Sequence, residues 1–201
     1  MFTRVSLWML AVAVLATVGP VSSAQAQARP SAKSKTKPVL TTVYLVRHAE
    51  KDSTSDPADP TLSALGQVRA QALRQTLARH RPVALFTTDT KRTRATLAPL
   101  AEALKLEPQV YDAKQTTALA VRILKEYKDK PVVVVGHSNT LLPLIESLGG
   151  TAPVDAIADN EYDYLFTIRI GGGTLPTVAL RAYGPEPKPV GKPAATPSAM
   201  K

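Results

Sequence analysis

The chain has 201 residues, with 25 Lys and Arg against 16 Asp and Glu, three histidines and no cysteine. That length suits one domain of ordinary size with tails, and 44% apolar residues are enough to bury a core. The missing cysteines exclude disulfides, zinc–thiolate sites, iron–sulfur clusters, thiol nucleophiles and a lipoprotein anchor, which leaves His, Ser/Thr, carboxylates, Arg and Lys for any chemistry.

The net charge of +9 sits mostly at the ends, because residues 39–184 carry 17 cations against 15 acids. A balanced middle gives no reason to expect a nucleic-acid partner. Residues 1–26 place Arg4 before an apolar run from Leu7 to Val18, then small residues with Ala24-x-Ala26 and Ala26-x-Ala28 spacing. This is the layout of a cleavable secretory signal peptide, and the run is shorter than the ~18–20 residues that span a bilayer. The expectation is an exported protein, periplasmic or secreted, with no stable membrane span after cleavage. Residues 27–38 read as a basic linker, 39–184 as the folded domain, and 185–201 as a Pro-rich disordered tail.

Within the domain, strands alternate with helices. Residues 39–46 are β-branched and aromatic, as a buried strand should be, and 51–60 form a polar loop with two prolines. Ser63 can cap a helix to about residue 79, with Leu65, Val68, Ala72, Leu73 and Leu77 as its apolar stripe and Gly66 weakening its first turn. Residues 83–87 read as a short strand. Residues 91–104 read as a helix burying Leu97, Leu100, Ala101 and Leu104, kinked or split by Pro99. A short strand at 109–111 and a helix at 117–127 through Leu119, Ile123 and Leu124 follow. The all-apolar 132–135 reads as a central parallel strand, followed by a helix at 140–148. Residues 164–170 and 178–183, joined through Gly171-Gly172-Gly173, read as a closing hairpin. The order predicts an α/β fold, a three-layer α/β/α sandwich on a mostly parallel central sheet, whose ligands sit beyond the carboxyl ends of the strands.

Two such ends carry histidine: Val43-Tyr44-Leu45-Val46 runs into Arg47-His48, and Val132-Val133-Val134-Val135-Gly136 runs into His137-Ser138. If both strands are parallel in one sheet, the two imidazoles meet at its rim. The third histidine, His80, ends a helix and reads as a structural cation beside the helix dipole. Thr88-Asp89-Thr90-Lys91-Arg92-Thr93-Arg94 follows another short strand and opens a helix, where free N–H groups and guanidinium forks favour an anion. Arginines and imidazoles around one point would neutralise a phosphoryl dianion, and a neutral imidazole is a competent nucleophile.

These three segments resemble, in the same order, the Arg-His-Gly/Ala, S-x-L-x-R and Gly-His-x motifs of the histidine phosphatase superfamily, the phosphoglycerate-mutase-like branch 1. The resemblance runs from about Thr41 to Tyr183. It implies a phosphoglycerate mutase-like fold and a phosphatase acting on a small phosphorylated substrate, a phosphomonoester or phosphoramidate, through a phosphohistidine on His48. Arg47 and Arg92 would bind the phosphoryl oxygens, His137 would stabilise the transition state, and Arg94 would point elsewhere. The resemblance also implies a general acid on a loop after the second motif. The acid in comparable placement is Asp112, with Glu50 beside the nucleophile as an alternative orienting Arg47 or Lys51. With neither donating a proton, good leaving groups such as phosphoramidates are favoured. Larger members of that superfamily carry a substrate-covering insertion between the last two motifs; with only 43 residues between Arg92 and Gly136, the resemblance implies an open, shallow pocket, with Lys51 and Ser53 on the 51–60 loop as rim contacts. No metal or other cofactor is expected, since the carboxylates do not cluster with histidine at ligand spacing and the arginines fill the charge-neutralising role. Two other readings remain: a non-catalytic phosphate-binding envelope module, and a serine hydrolase using Ser138, whose elbow would carry Thr140 where glycine belongs.

Overall fold

The computed structural model describes residues 39–186, so the expected signal peptide, linker and all but the first two tail residues lie outside the described part of the chain. Six strands, β1 (Thr41–Arg47), β2 (Ala84–Thr87), β3 (Gln109–Val110), β4 (Pro131–Gly136), β5 (Tyr164–Gly171) and β6 (Thr174–Ala182), form one sheet in the order β3-β2-β4-β1-β5-β6. β3, β2, β4 and β1 are mutually parallel, whereas β5 and β6 add an antiparallel hairpin at one edge. Four helices cover it: α1 (Ala64–Leu77), α2 (Lys91–Leu104), α3 (Thr116–Glu126) and α4 (Ser138–Ser147).

Strand alternation sorts the core into two layers. Val43, Leu45, Phe86, Val132 and Val134 face α3 and α4, meeting Leu119, Ile123, Leu141, Leu144 and Ile145. Tyr44, Val46, Leu85, Val133 and Val135 face α1 and α2, meeting Leu73, Leu77, Leu97 and Leu100. Residues of β4 on both sides are fully buried, which is why that strand shows no polar alternation in sequence. The expected three-layer sandwich is therefore present. Among the described residues no helix is long and apolar enough to cross a membrane.

Several local expectations shift. The apolar stripe assigned to α1 is its buried face only in part: Leu73 and Leu77 are buried, Val68 is exposed, and Gly66, Arg69 and Ala70 complete the buried face. Gly66 is there for contact, since a Cβ at that position would stand 2.3 Å from the Glu50 carbonyl oxygen. Pro99 does not split α2, which runs unbroken from a Thr90 cap. Leu124 of α3 is exposed. β6 begins four residues earlier than the apolar pattern suggested and includes Pro176, which an edge strand tolerates because one side of its backbone is unpaired. His80 lies in a single 3-10 turn, Ala78–His80, with its ring 5.2 Å from that of Tyr44. Partial burial, then Arg79 and Arg169, push its pKa down, against the cation expected there.

Candidate active site

β1 and β4 are adjacent and parallel, with Arg47 in register with Gly136, so the residue after each strand leaves the sheet at the same level. The His48 N–H donates to the Gly136 carbonyl at 2.9 Å, which carries the pairing one residue past β1. As a result the His48 and His137 rings lie 5.5 Å apart, edge to face. Gly136 is needed for this approach, because a Cβ there would come within 2.8 Å of both the Thr140 and Tyr111 hydroxyls.

His48 is held in one tautomer. Its Nδ1 lies 2.8 Å from the Ala49 carbonyl oxygen, which only accepts, so Nδ1 carries the proton and Nε2 keeps a free lone pair. Burial, partly offset by that hydrogen bond and reinforced by Arg47, Arg92 and His137, pushes its pKa down to about 3. The imidazole is therefore neutral at ordinary pH. The Ala49 N–H donates to Thr96 Oγ1 at 2.9 Å, and that hydroxyl donates to the Arg92 carbonyl at 2.7 Å, so α2 fixes the loop that carries the histidine.

His137 starts α4, its backbone N–H donating to Thr140 Oγ1 at 2.9 Å. Arg92 Nη2, which can only donate, lies 3.5 Å from Nδ1, and Nε2 lies 2.8 Å from Thr88 Oγ1. This assigns the ring proton to Nε2, facing Thr88. Burial first, then Arg92 and Arg47, lower its pKa to about 4. Thr88 is in turn within 3.1 Å of the buried Thr93 hydroxyl on α2.

The two arginines are held differently. Arg92, at the second position of α2, is half-buried and 3.6 Å from Asp59 of the 51–60 loop, whose carboxylate also accepts from the Lys91 N–H. Arg47 is 5% exposed. Its Nη1 donates to the Ala158, Asp159 and Glu161 carbonyls at 2.7, 3.2 and 3.3 Å, and its guanidinium lies 4.3 Å from the centre of the Tyr162 ring. Its Nε–H is buried without a partner in the protein. A buried unpaired donor on a cation is costly unless an anion completes it.

A hollow of about 440 Å³ opens over these groups, with His48, Arg92, His137 and Lys114 among the residues that line it. Among the described residues that line it none is an acid. The sheet thus brings together His48, His137 and Arg92, with Arg47 packed behind them and near enough to depress both imidazoles. Arg94 turns away to pair with Asp89 at 2.8 Å.

The remaining sequence candidates fall elsewhere. Asp112 is exposed and stays outside the hollow, because its carboxylate accepts from the Lys114 N–H at 2.9 Å and from the Gln115 amide at 3.2 Å, closing the turn before α3. Glu50 orients neither Arg47 nor Lys51; both its oxygens accept from the fully buried Arg69 at 2.7–3.0 Å. Lys51 and Ser53 are exposed and do not line the hollow; Lys51 forms a backbone bridge with Leu62. Among the described hydrogen bonds the Ser138 hydroxyl has no imidazole to activate it. Sequence reading missed Lys114, Asp59, Arg69 and Tyr162, whose ring centre is 5.9 Å from that of His48. For Tyr162 the one available signal was an aromatic flanked by Glu161 and Asp163, just before the strand that opens with Tyr164.

The α/β sandwich, with two neutral imidazoles and two guanidiniums at the carboxyl end of its parallel strands, has the phosphoglycerate mutase-like fold. Residues 43–115 match the family described as the histidine phosphatase superfamily (branch 1). Among curated proteins none matches. Among solved structures, a mycobacterial glucosyl-3-phosphoglycerate phosphatase superposes with a TM-score of 0.57 at 14% identity, over 73% of this chain and 100% of the other. The protein histidine phosphatase SixA complexed with tungstate gives 0.54 at 17%, over 70% and 96%. A putative phosphohistidine phosphatase SixA from Agrobacterium tumefaciens gives 0.54 at 21%, over 71% and 98%. At these identities the likeness is one of fold.

Proposed function

We propose that the protein is a phosphatase that hydrolyses a small phosphomonoester or phosphoramidate through a phosphohistidine on His48, without a metal ion. The observation that carries this reading is the pairing of His48 with His137 at 5.5 Å, His48 neutral and with Nε2 unprotonated, beside two arginines. In the first step the Nε2 lone pair attacks phosphorus, the bond to the leaving group breaks, and its electrons depart with the leaving atom. Arg92 takes the equatorial oxygens, where charge spreads in the transition state, and the buried guanidinium of Arg47 adds positive potential from behind the imidazoles. His137 binds a proton as the dianion arrives and then donates from Nδ1 to the phosphoryl group. In the second step water attacks phosphorus, the N–P bond breaks, and His48 returns to its neutral form.

With no carboxyl group among the described residues that line the hollow, the leaving atom departs with little help from a buried acid. Aryl phosphates and N–P substrates fit that condition better than simple alkyl phosphates. The site is expected to work in an exported protein, periplasmic or secreted, cleaved after the signal peptide. The test is hydrolysis of p-nitrophenyl phosphate by the wild type, His48→Ala and Ser138→Ala. His48→Ala should lose at least ~1,000-fold, as expected for removal of a covalent nucleophile, while Ser138→Ala keeps most of the activity and EDTA has no effect. Phosphate binding without turnover of any phosphomonoester or phosphoramidate would support the binding-module reading instead.

A further inference from the structure

A second hollow of about 610 Å³ adjoins the phosphate hollow, and the two share Ser138 and Asn139 of the first turn of α4. Beyond that turn the lining changes character. Leu142 of α4 and Val154 and Ile157 of the 151–157 segment make it apolar, and Ile157 is also part of the core, which fixes this wall. Glu146, one helical turn after Leu142, and Asp155 of the 151–157 segment add two exposed carboxylates to its lining, and neither joins an ion pair among the described residues. Among the described residues no cation lines this second hollow, whereas Arg92 and Lys114 line the first. Along α4 the lining therefore changes in character, from Ser138 and Asn139 beside the cationic hollow to apolar Leu142 and then acidic Glu146.

We infer that the second hollow is the leaving-group subsite, and that it takes an apolar-bodied leaving group ending in an ammonium. This rests on the reading of the first hollow as the phosphoryl site. A phosphoryl group seated against His48 can direct its ester or amide substituent over Ser138 and Asn139, the residues that line both hollows. An alkyl or aryl body then covers Leu142, Val154 and Ile157, and a terminal ammonium meets Glu146 and Asp155. A terminal carboxylate would meet the same two acids and be disfavoured. The pairing is solvent-exposed, so each carboxylate contributes modestly, and the two together set a preference of about tenfold.

The test uses three phenyl phosphates with 4-aminomethyl, 4-hydroxymethyl and 4-carboxymethyl substituents, in which the methylene keeps the phenol leaving groups similar. kcat/KM is measured on the wild type, and affinity is measured by calorimetry on full-chain His48→Ala. The expected order is cation, neutral, anion in both measurements, with about tenfold between the extremes, carried by KM rather than kcat. Replacing both acids (Glu146→Gln with Asp155→Asn) should bring the three within about twofold of one another. A flat or reversed order overturns the subsite, as does an order that survives the double replacement. Loss of all turnover with the affinity order intact would remove the phosphatase reading and uphold the subsite. Failure of all three compounds to bind would overturn both.

Discussion

Arg69 is the side chain whose removal should be felt most. It is fully buried in α1, donates three hydrogen bonds to the Glu50 carboxylate, and caps the Tyr183 and Pro185 carbonyls at 2.7 and 3.0 Å. It thus ties the loop that follows His48 to the end of β6. Arg69→Met fits the hydrocarbon part of the space but strands a carboxylate whose side chain is only 14% exposed, together with the Tyr183 carbonyl. Breaking a buried pair by deleting one partner costs about 3–5 kcal/mol, and the loss of several charge-assisted bonds points to the same range. For a domain of this size, each kcal/mol lowers Tm by roughly 2–4 °C, so Arg69→Met should melt on the order of 10 °C below the wild type. Urea titration at pH 7 should show a lower midpoint with an unchanged slope. Glu50→Leu combined with Arg69→Met removes both charges and should recover at least half of the loss. A cost below about 1 kcal/mol for Arg69→Met, or a double variant less stable than the single, would refute the view that this pair anchors the nucleophile loop.

Two further outcomes follow from the site. Because the folded pKa values of His48 and His137, about 3 and about 4, lie below the 6.5 of a free imidazole, the unfolded chain binds more protons in the window from about 3 to 6.5. Stability should be complete above that window and fall as acid is added through it, which urea midpoints between pH 4 and 7 will check. NMR of imidazole nitrogens should show both rings neutral at pH 6 without ligand, and calorimetry in buffers of different ionisation enthalpy should show proton uptake when vanadate or phosphate binds. Asp112→Asn should change kcat less than about threefold because its carboxylate closes a turn, whereas Lys114→Met should raise KM for a dianionic substrate by about three- to tenfold.

The parallel half of the sheet could be read from sequence because burial on both faces leaves an unmistakable imprint: β4 is a run of four valines between Pro131 and Gly136. The same strands ended in histidine, so the meeting of His48 and His137 needed only their parallel pairing. What escaped the reading depended on contacts between distant segments. The periodicity of α1 favoured Val68 and passed over Arg69, because a buried arginine is invisible until its carboxylate partner is known. Residues 151–163 have neither helical nor strand periodicity, yet they supply three carbonyls and the Tyr162 ring to Arg47, an irregular segment ordered by a guanidinium. Asp112 took the place of an acid by sequence spacing alone, and the turn it closes directs the following residue but one, Lys114, to the hollow instead.

Rapid acid-free quenching of p-nitrophenyl phosphate turnover, followed by peptide mass spectrometry, addresses the central assignment most directly. A phosphoryl group on the peptide containing His48, stable in base, lost in mild acid and missing from His48→Ala, is the predicted result. Undiminished turnover by His48→Ala, or a phosphoryl adduct on any other residue, would contradict it.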